Sequence, residues 1–430
     1  MNGVNYMKRF NPIRYCSAIA LAVFLAACSK DSTAPADSGG DNGGTPGVPN
    51  PGSDVWLAAA QTAWTFVANN TQASTGLAKA HDNFQFVTTW DIASLIAATY
   101  SAHELGIIND ANYDARIKKI LATLTTLPLF QGAAFNRFYD SQTGQMVDRS
   151  FKTSTTGFGW SSTDLGRLLT WLRVLAVNQP QYSAQATAIK NRLNMSRLIS
   201  GGTLQGVDVD ANGNTVYYAE TGLGYEQYAA AGFALWGNRA SNSINPTATA
   251  KATTVLGVNV WIDGRGNARL TSEPYIMMGL ETGFWASALK DQAQAVLAAQ
   301  KARNDQQGII TIVTEDAMPD APYYFYYYSV YHSGKTFVVE GPGYGTVVSN
   351  PRWVSSKAAF AWHALFPSDY TLKAFNAVQA AAIPGDGWGA GVYEGSLKPT
   401  GYATLNTAGM ILEAVLYHKN GQPPLSQPIS

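Results

Sequence analysis

The sequence predicts an all-α fold, an (α/α)6 toroid of the six-hairpin type with small β-hairpins in its long rim loops. Three observations carry this. About twelve segments show helical periodicity and caps, near residues 55–69, 89–105, 110–127, 161–177, 180–195, 224–236, 246–257, 273–283, 287–303, 353–365, 369–381 and 404–418. They alternate in character: the even-numbered ones, such as Ile92 to Tyr100 and Tyr228 to Trp236, are apolar and rich in small residues, while the odd-numbered ones carry charge, as in Asp114, Arg116, Lys118 and Lys119. A helix that is apolar all round is buried and a one-sided one faces water. The connections alternate too. Loops after even-numbered segments are short, such as Gly106 to Asp110, and loops before them are long, such as Pro128 to Trp160 and Asn304 to Arg352. An antiparallel array of this kind gathers the long loops at the N-termini of the inner helices, where a binding cleft belongs.

Within those loops, Thr203 to Asp208 and Thr215 to Ala219 flank Asn212-Gly213 and read as a hairpin. Ile309 to Val313 and Phe337 to Glu340 are also strand-like, and Tyr323 to Tyr328 reads as a lining or core strand.

The leader is read first for compartment. Lys8, Arg9 and Arg14 precede an apolar stretch from about Tyr15 to Ala27, too short for a spanning helix of the finished protein. It ends in Leu25-Ala26-Ala27-Cys28, the form of a lipobox. Residues 1–27 are therefore expected to be a lipoprotein signal peptide and Cys28 the lipidated first residue of an exported protein. Ser29 accords with transfer to the outer membrane, on its periplasmic or cell-surface face. Acyl chains at about 0.8 kcal/mol per buried CH₂ make a stable anchor. Residues 28–53 form a Gly/Pro/Ser linker, 54–420 the toroid and 421–430 a tail. With Cys16 removed, one cysteine remains and stability rests on the core.

Net charge is zero, only 13% of residues are charged, and no basic patch appears, which argues against nucleic acid. Aromatic residues make up 12%, suited to stacking on sugars. Asp91, Asp164, Glu220, Glu226, Glu273, Glu315, Asp316, Glu340, Asp386 and Glu394 all fall in long loops or first turns of the apolar helices, a concentration drawn from 29 acids in all. Paired carboxylates are the equipment of glycoside hydrolysis, one protonating the leaving oxygen and the other activating water or attacking.

Each acid also has a plainer role. Thr88-Thr89-Trp90-Asp91 and Ser161-Ser162-Thr163-Asp164 have capping-box form, and a carboxylate in a first turn suits the helix dipole. Gly157-Phe158-Gly159-Trp160 ahead of Asp164 suggests close backbone approach and a stacking platform. Glu226, opening an apolar helix, is either a general acid of raised pKa or a structural acid paired with an arginine. Glu315-Asp316 belongs to a site or to a turn. Asp208 to Asn214 begins like an EF-hand loop, but Ala219 stands where the closing glutamate belongs, so a hairpin turn is expected. The five histidines have no ligand spacing; no metal or cofactor is expected.

The stretches Thr89-Trp90-Asp91-Ile92, Gly159 to Leu169, Gly224-Tyr225-Glu226-Gln227-Tyr228-Ala229, Thr314-Glu315-Asp316, Ser356-Lys357-Ala358-Ala359-Phe360 and Gly387-Trp388 resemble a bacterial family known as a domain of unknown function. That family is similar to glucoamylase-like six-hairpin proteins and, more distantly, to endo-β-1,2-glucanases and the glucoamylase-like domains of cyclic glucan synthases. In those, an acid follows a Ser-rich helix start and a Tyr-Asn-Glu segment opens a later inner helix. The resemblance thus implies Glu226 as general acid and Asp164 as base or water-positioning group. Gly224-Tyr225 here replaces Tyr-Asn, and Thr314-Glu315-Asp316 replaces Ser-Glu-Ser.

The expectation is a monomeric glycoside hydrolase acting on a glucan-like polysaccharide by inversion, with catalytic Glu226 and Asp164 roughly 6.5–9.5 Å apart. Substrate contacts are expected from Trp90, Asp91, Phe158, Trp160, Glu220, Tyr225, Glu273, Glu315, Asp316, Trp388, Tyr393 and Glu394. The alternatives are a non-catalytic glycan-binding lipoprotein of polysaccharide export or assembly, or a polysaccharide lyase using a tyrosine.

Overall fold

The computed structural model describes residues 52–266, 269–341 and 346–426. The leader, Cys28, the linker up to residue 51 and the last four residues of the tail lie outside them.

The helices are α1 (Ser53–Asn70), α2 (Thr89–Glu104), α3 (Asp110–Thr126), α4 (Ser162–Asn178), α5 (Ser183–Asn191), α6 (Met195–Leu198), α7 (Tyr225–Ala234), α8 (Glu273–Met277), α9 (Ser287–Gln307), α10 (Ser356–Leu365), α11 (Asp369–Val378) and α12 (Leu405–Lys419). A π turn over Met278–Thr282 continues α8. The inner helices are α2, α4, α7, α8, α10 and α12. Each packs on the next, and α12 packs back on α2, so the ring is closed. None of the helices among the described residues is long and apolar enough to cross a membrane.

Alanine and glycine on the inner helices permit the close approach. Gly166 on α4 faces Gly232 and Ala229 on α7 so tightly that a methyl group on either glycine would collide with the backbone opposite. The ring centre is polar where the chain can satisfy it. The Arg167 guanidinium, fully buried, donates to Ser94 at 2.6 Å, Asn406 at 2.9 Å and Glu413 at 3.0 Å. Glu281 in turn accepts from Trp171 at 3.1 Å and Tyr228 at 2.5 Å.

One outer helix of the expected set does not exist. Residues 246–257 do not form a helix; Ala250–Val255 pairs with Val258–Asp263 as a hairpin that packs on α9. Thr253, Thr254 and Val255 favour a strand, and Leu256 and Gly257, with φ of 48° and 83°, supply the reversed turn that a two-residue hairpin needs. Ile309 to Val313 likewise carries no regular strand. The other rim strands follow the sequence. Thr203–Val209 pairs with Thr215–Ala219, and Asp210 closes the turn by accepting from the Asn212 and Asn214 amides at 2.8 Å. Phe325–His332 pairs with both Lys335–Glu340 and Glu315–Ala317.

Candidate active site

The N-termini of the inner helices deliver the acids to one rim. Thr88 caps α2 and forms a reciprocal box with Asp91, whose carboxylate accepts from the Thr88 amide at 2.9 Å. Ser161 caps α4 and donates to Asp164 at 3.1 Å. Glu273 opens α8, Lys357 lies in the first turn of α10 and Asn406 in that of α12. Glu315 and Asp316 come from the short strand Glu315–Ala317.

Lys357 organises the floor. Its ammonium, almost wholly buried, lies 2.6 Å from Glu273 and 3.5 Å from Asp316. Glu273 is completed by Thr314 at 2.5 Å and Asn406 at 2.8 Å, and Asp316 by the Trp353 indole N–H at 2.7 Å. Burial works against the Lys357 charge, but Glu273, Asp316 and Glu315 outweigh it and raise its pKa. Burial also lifts Asp316, to about 6, with Lys357 opposing.

Glu315 and Asp164 differ from these. Both are half-buried. Burial pushes the Glu315 carboxyl up to about 8, aided by Glu273 and Asp164 against the pull of Lys357 and Arg269, and among the described residues no hydrogen bond or ion pair holds it. Asp164 is pushed up to about 7, first by burial, with Arg137 opposing and Glu220 and Asp91 adding; Ser161 is its hydrogen-bond partner. The two carboxyls thus feel each other's charge without sharing a hydrogen bond. Both carboxyls are therefore biased toward the protonated form, the bias that a general acid draws on.

Several expected site residues are engaged elsewhere. Glu226 is 2% exposed and both of its oxygens are taken, one by Ser243 at 2.6 Å and the other by Arg265 at 2.6 Å, itself held by Asp263. Both oxygens are thus engaged within the fold, in the arginine pairing that the sequence left open as the alternative to a general acid. Glu394 is clamped by Arg303 at 2.7 and 3.0 Å and by the Tyr328 hydroxyl. Glu220 caps α4, accepting from the Ser162 amide at 2.7 Å. Trp160 and Trp388, expected as platforms, are core residues: their indoles bond the carbonyls of Gln205 and Ala59 and their rings are covered. Phe158 is nearly buried beneath Phe138, and Tyr393 donates to Asp320 at 2.6 Å. Trp90 and Tyr225 do meet beside the acids, rings 6.2 Å apart, with a buried indole N–H and a buried hydroxyl that find no partner among the described residues. Trp90 also covers Arg167, 5.0 Å from its guanidinium carbon. Glu315 and Glu273 both act on the Tyr225 hydroxyl, after burial, to raise its pKa. Among the described residues no three His, Cys, Asp or Glu converge as a metal would require.

With this geometry in view, the chain was compared with known proteins. Residues 58–421 match the family described as protein of unknown function (DUF3131). The chain belongs to that family. No curated protein matches it. Solved structures share the fold of this DUF3131 domain. A presumed glucoamylase from Bacteroides fragilis is 14% identical with a TM-score of 0.63, over 88% of this chain and 94% of that one. An endo-β-1,2-glucanase from Chitinophaga pinensis, solved with sophorotriose and glucose, is 15% identical with a TM-score of 0.61, over 87% and 94%. An endo-β-1,2-glucanase from Talaromyces funiculosus, solved with sophorose, is 10% identical with a TM-score of 0.63, over 86% and 85%. The six-hairpin toroid is therefore shared with carbohydrate-active enzymes, at identities that speak for fold alone.

Sequence reasoning passed over Lys357, Asn406 and Thr314 as parts of the DUF3131 site. The signal for Lys357 was present, a lone cation in the apolar run Ser356 to Leu365, which only buried acids could justify. Asn406 and Thr314 carry no such mark. Their role arises from which side chains the closed ring brings to Glu273.

Proposed function

We propose that this protein is a glycoside hydrolase that cleaves a glucan-like polysaccharide by inversion, with Glu315 as general acid and Asp164 as the base that activates water. One observation carries the reading: Glu315 is a partly accessible carboxyl without a hydrogen-bond or ion-pair partner among the described residues, its pKa raised to about 8 by burial and by charges that include Asp164, which is itself raised to about 7. A purely binding surface has no use for a carboxyl kept protonated at neutral pH, whereas a leaving-group oxygen needs that proton. Tyr225, partly exposed, and Trp90 packed behind it form an aromatic wall beside the pair, and Lys357 fixes the floor beneath it. The likeness in fold to endo-β-1,2-glucanases favours β-1,2-glucan as the first substrate to try.

The test is release of reducing ends from β-1,2-, β-1,3- and α-1,4-glucans by wild type, Glu315→Gln and Asp164→Asn, with NMR of the first-formed anomer. Cleavage with inverted configuration, lost in both variants, supports the proposal. Glycan binding without cleavage, or turnover that survives Glu315→Gln, overturns it. Products absorbing near 232 nm (the unsaturated uronate chromophore) would mark a lyase instead.

The proposal includes a lipid anchor at Cys28 and an outer-membrane location. Incorporation of labelled palmitate, abolished by Cys28→Ser, tests the anchor; equal soluble export of both forms refutes it.

A further inference from the structure

A second ring-lined surface stands on the same rim, apart from the acids. Phe84 and Phe86 come from the segment leading into α2, and Phe138 and Phe151 from the long loop between α3 and α4. Phe84 lies 5.2 Å from Phe86, 6.1 Å from Phe138 and 5.1 Å from Phe151, all edge to face, and Phe86 stacks on Phe151 at 5.2 Å. Four rings packed in this way form a stiff wall. Each stays half-exposed, whereas phenylalanines that serve only the core, such as Phe66, Phe130 and Phe135, are covered.

Beside the wall is a hollow of about 300 Å³ lined by Phe84, Phe86, Lys79, Asp82, Asn83 and Gln85. Its polar members are one amine, one carboxyl and two planar amides. Asn70 donates to the Asp82 carboxyl at 3.3 Å, and burial together with the nearby Asp386 raises that carboxyl to about 6. Ring faces that take the C–H side of a pyranose, next to planar groups that pair with adjacent hydroxyls, suit a neutral sugar. Lys79 stands against Asp82, with Asp386 beside it and Asp140 behind Gln85, a balance that disfavours an anionic ligand. The wall also joins the acid sector: Phe138 stacks at 6.2 Å and 11° on Phe158, three residues before the Ser161 cap of the helix that carries Asp164.

We propose that the phenylalanine wall and its hollow are a distal glycan subsite, holding sugar units of a neutral polysaccharide that extend beyond those at the acids. The proposal rests on the carbohydrate-directed reading above, but on different residues. It makes the protein a binder of chains rather than of short oligosaccharides.

The test is retardation of the protein in native gels containing β-1,2-, β-1,3- or α-1,4-glucan, together with KM on polymer and trisaccharide of whichever linkage is cleaved. Wild type should be retarded by a glucan. Phe84→Ala with Phe151→Ala should weaken retardation and raise KM for polymer roughly three- to tenfold, leaving kcat and the trisaccharide unchanged. Gln85→Ala, at an exposed side chain whose amide donates to Asp140 at 2.7 Å and keeps its carbonyl for a sugar hydroxyl, should act in the same direction. Polymer binding and KM unaltered in all these variants, or no retardation of wild type by any glucan, overturns the subsite. Failure of the acid assignment is separately visible: Glu315→Gln would then cleave like wild type, while retardation of the wall variants still decides this proposal.

Discussion

Replacing Glu315 by glutamine should inactivate the protein and stabilise it at once. The carboxyl has an ordinary value of 4.5 and is lifted by burial to about 8 in the folded chain. A raised carboxyl pKa gives a definite sign. Its favourable contribution is complete below 4.5, where both states are protonated, and is lost as the pH climbs toward 8, because the unfolded chain ionises first. At about 1.4 kcal/mol for each pH unit between those values, roughly 4 kcal/mol of folding free energy is withheld at pH 8. Glutamine keeps the shape and cannot ionise. At about 1–2 °C per kcal/mol for a domain of this size, Tm of Glu315→Gln should exceed that of wild type by roughly 4–8 °C at pH 8 and match it at pH 4. Glucan hydrolysis should fall by about 10²–10⁴. Calorimetry at the two pH values and a reducing-end assay check both halves. Equal Tm at pH 8, or a lower one, would refute the claim that Glu315 is a half-buried acid whose carboxyl is raised well above its ordinary value.

Three further outcomes follow from the same geometry. The rate against pH should be bell-shaped, rising through about 7 as Asp164 ionises and falling through about 8 as Glu315 loses its proton, and a flat profile between pH 6 and 9 would contradict the pair. Lys357→Met leaves Glu273 and Asp316 buried without their cation; it should cost about 3–5 kcal/mol in urea unfolding and move the alkaline limb of the profile upward, since Lys357 lowers the Glu315 pKa. Glu226→Gln should lose about 1–3 kcal/mol, because Arg265 keeps Asp263, while kcat stays within a few-fold of wild type; a collapse of kcat in a folded variant would return Glu226 to the catalytic role.

The inner ring was legible because its helices are apolar nearly all round and because the caps at Thr88 and Ser161 mark where two of them begin. The missing outer helix was not. Alanine and threonine in residues 246–254 serve either period, and the decision falls to two residues, Leu256 and Gly257, that reverse the chain. At the site, the gathering of acids on one rim follows from their positions at helix starts. Their division of labour does not. Glu226 looks like the buried acid of an apolar helix until Arg265, 39 residues on, arrives from the turn that follows the hairpin. Glu315 looks like the end of a strand until its neighbours prove to be paired with one another and leave it alone. Trp160 and Trp388, each behind a glycine, look like platforms, but what lies on either face of a ring is a long-range property.

The contact of α12 with α2 sets the order in which this chain can mature. A ring has no stable partial form of obvious extent, because each inner helix needs neighbours on both sides and the first to be made waits for the last. Until residues beyond 405 are released, α2 has one flank open and the Arg167 cluster lacks Asn406 and Glu413. The protein should therefore stay unfolded through most of its synthesis and fold in one late step. For a chain proposed to be threaded through a membrane before it folds, that delay is a qualification for passage.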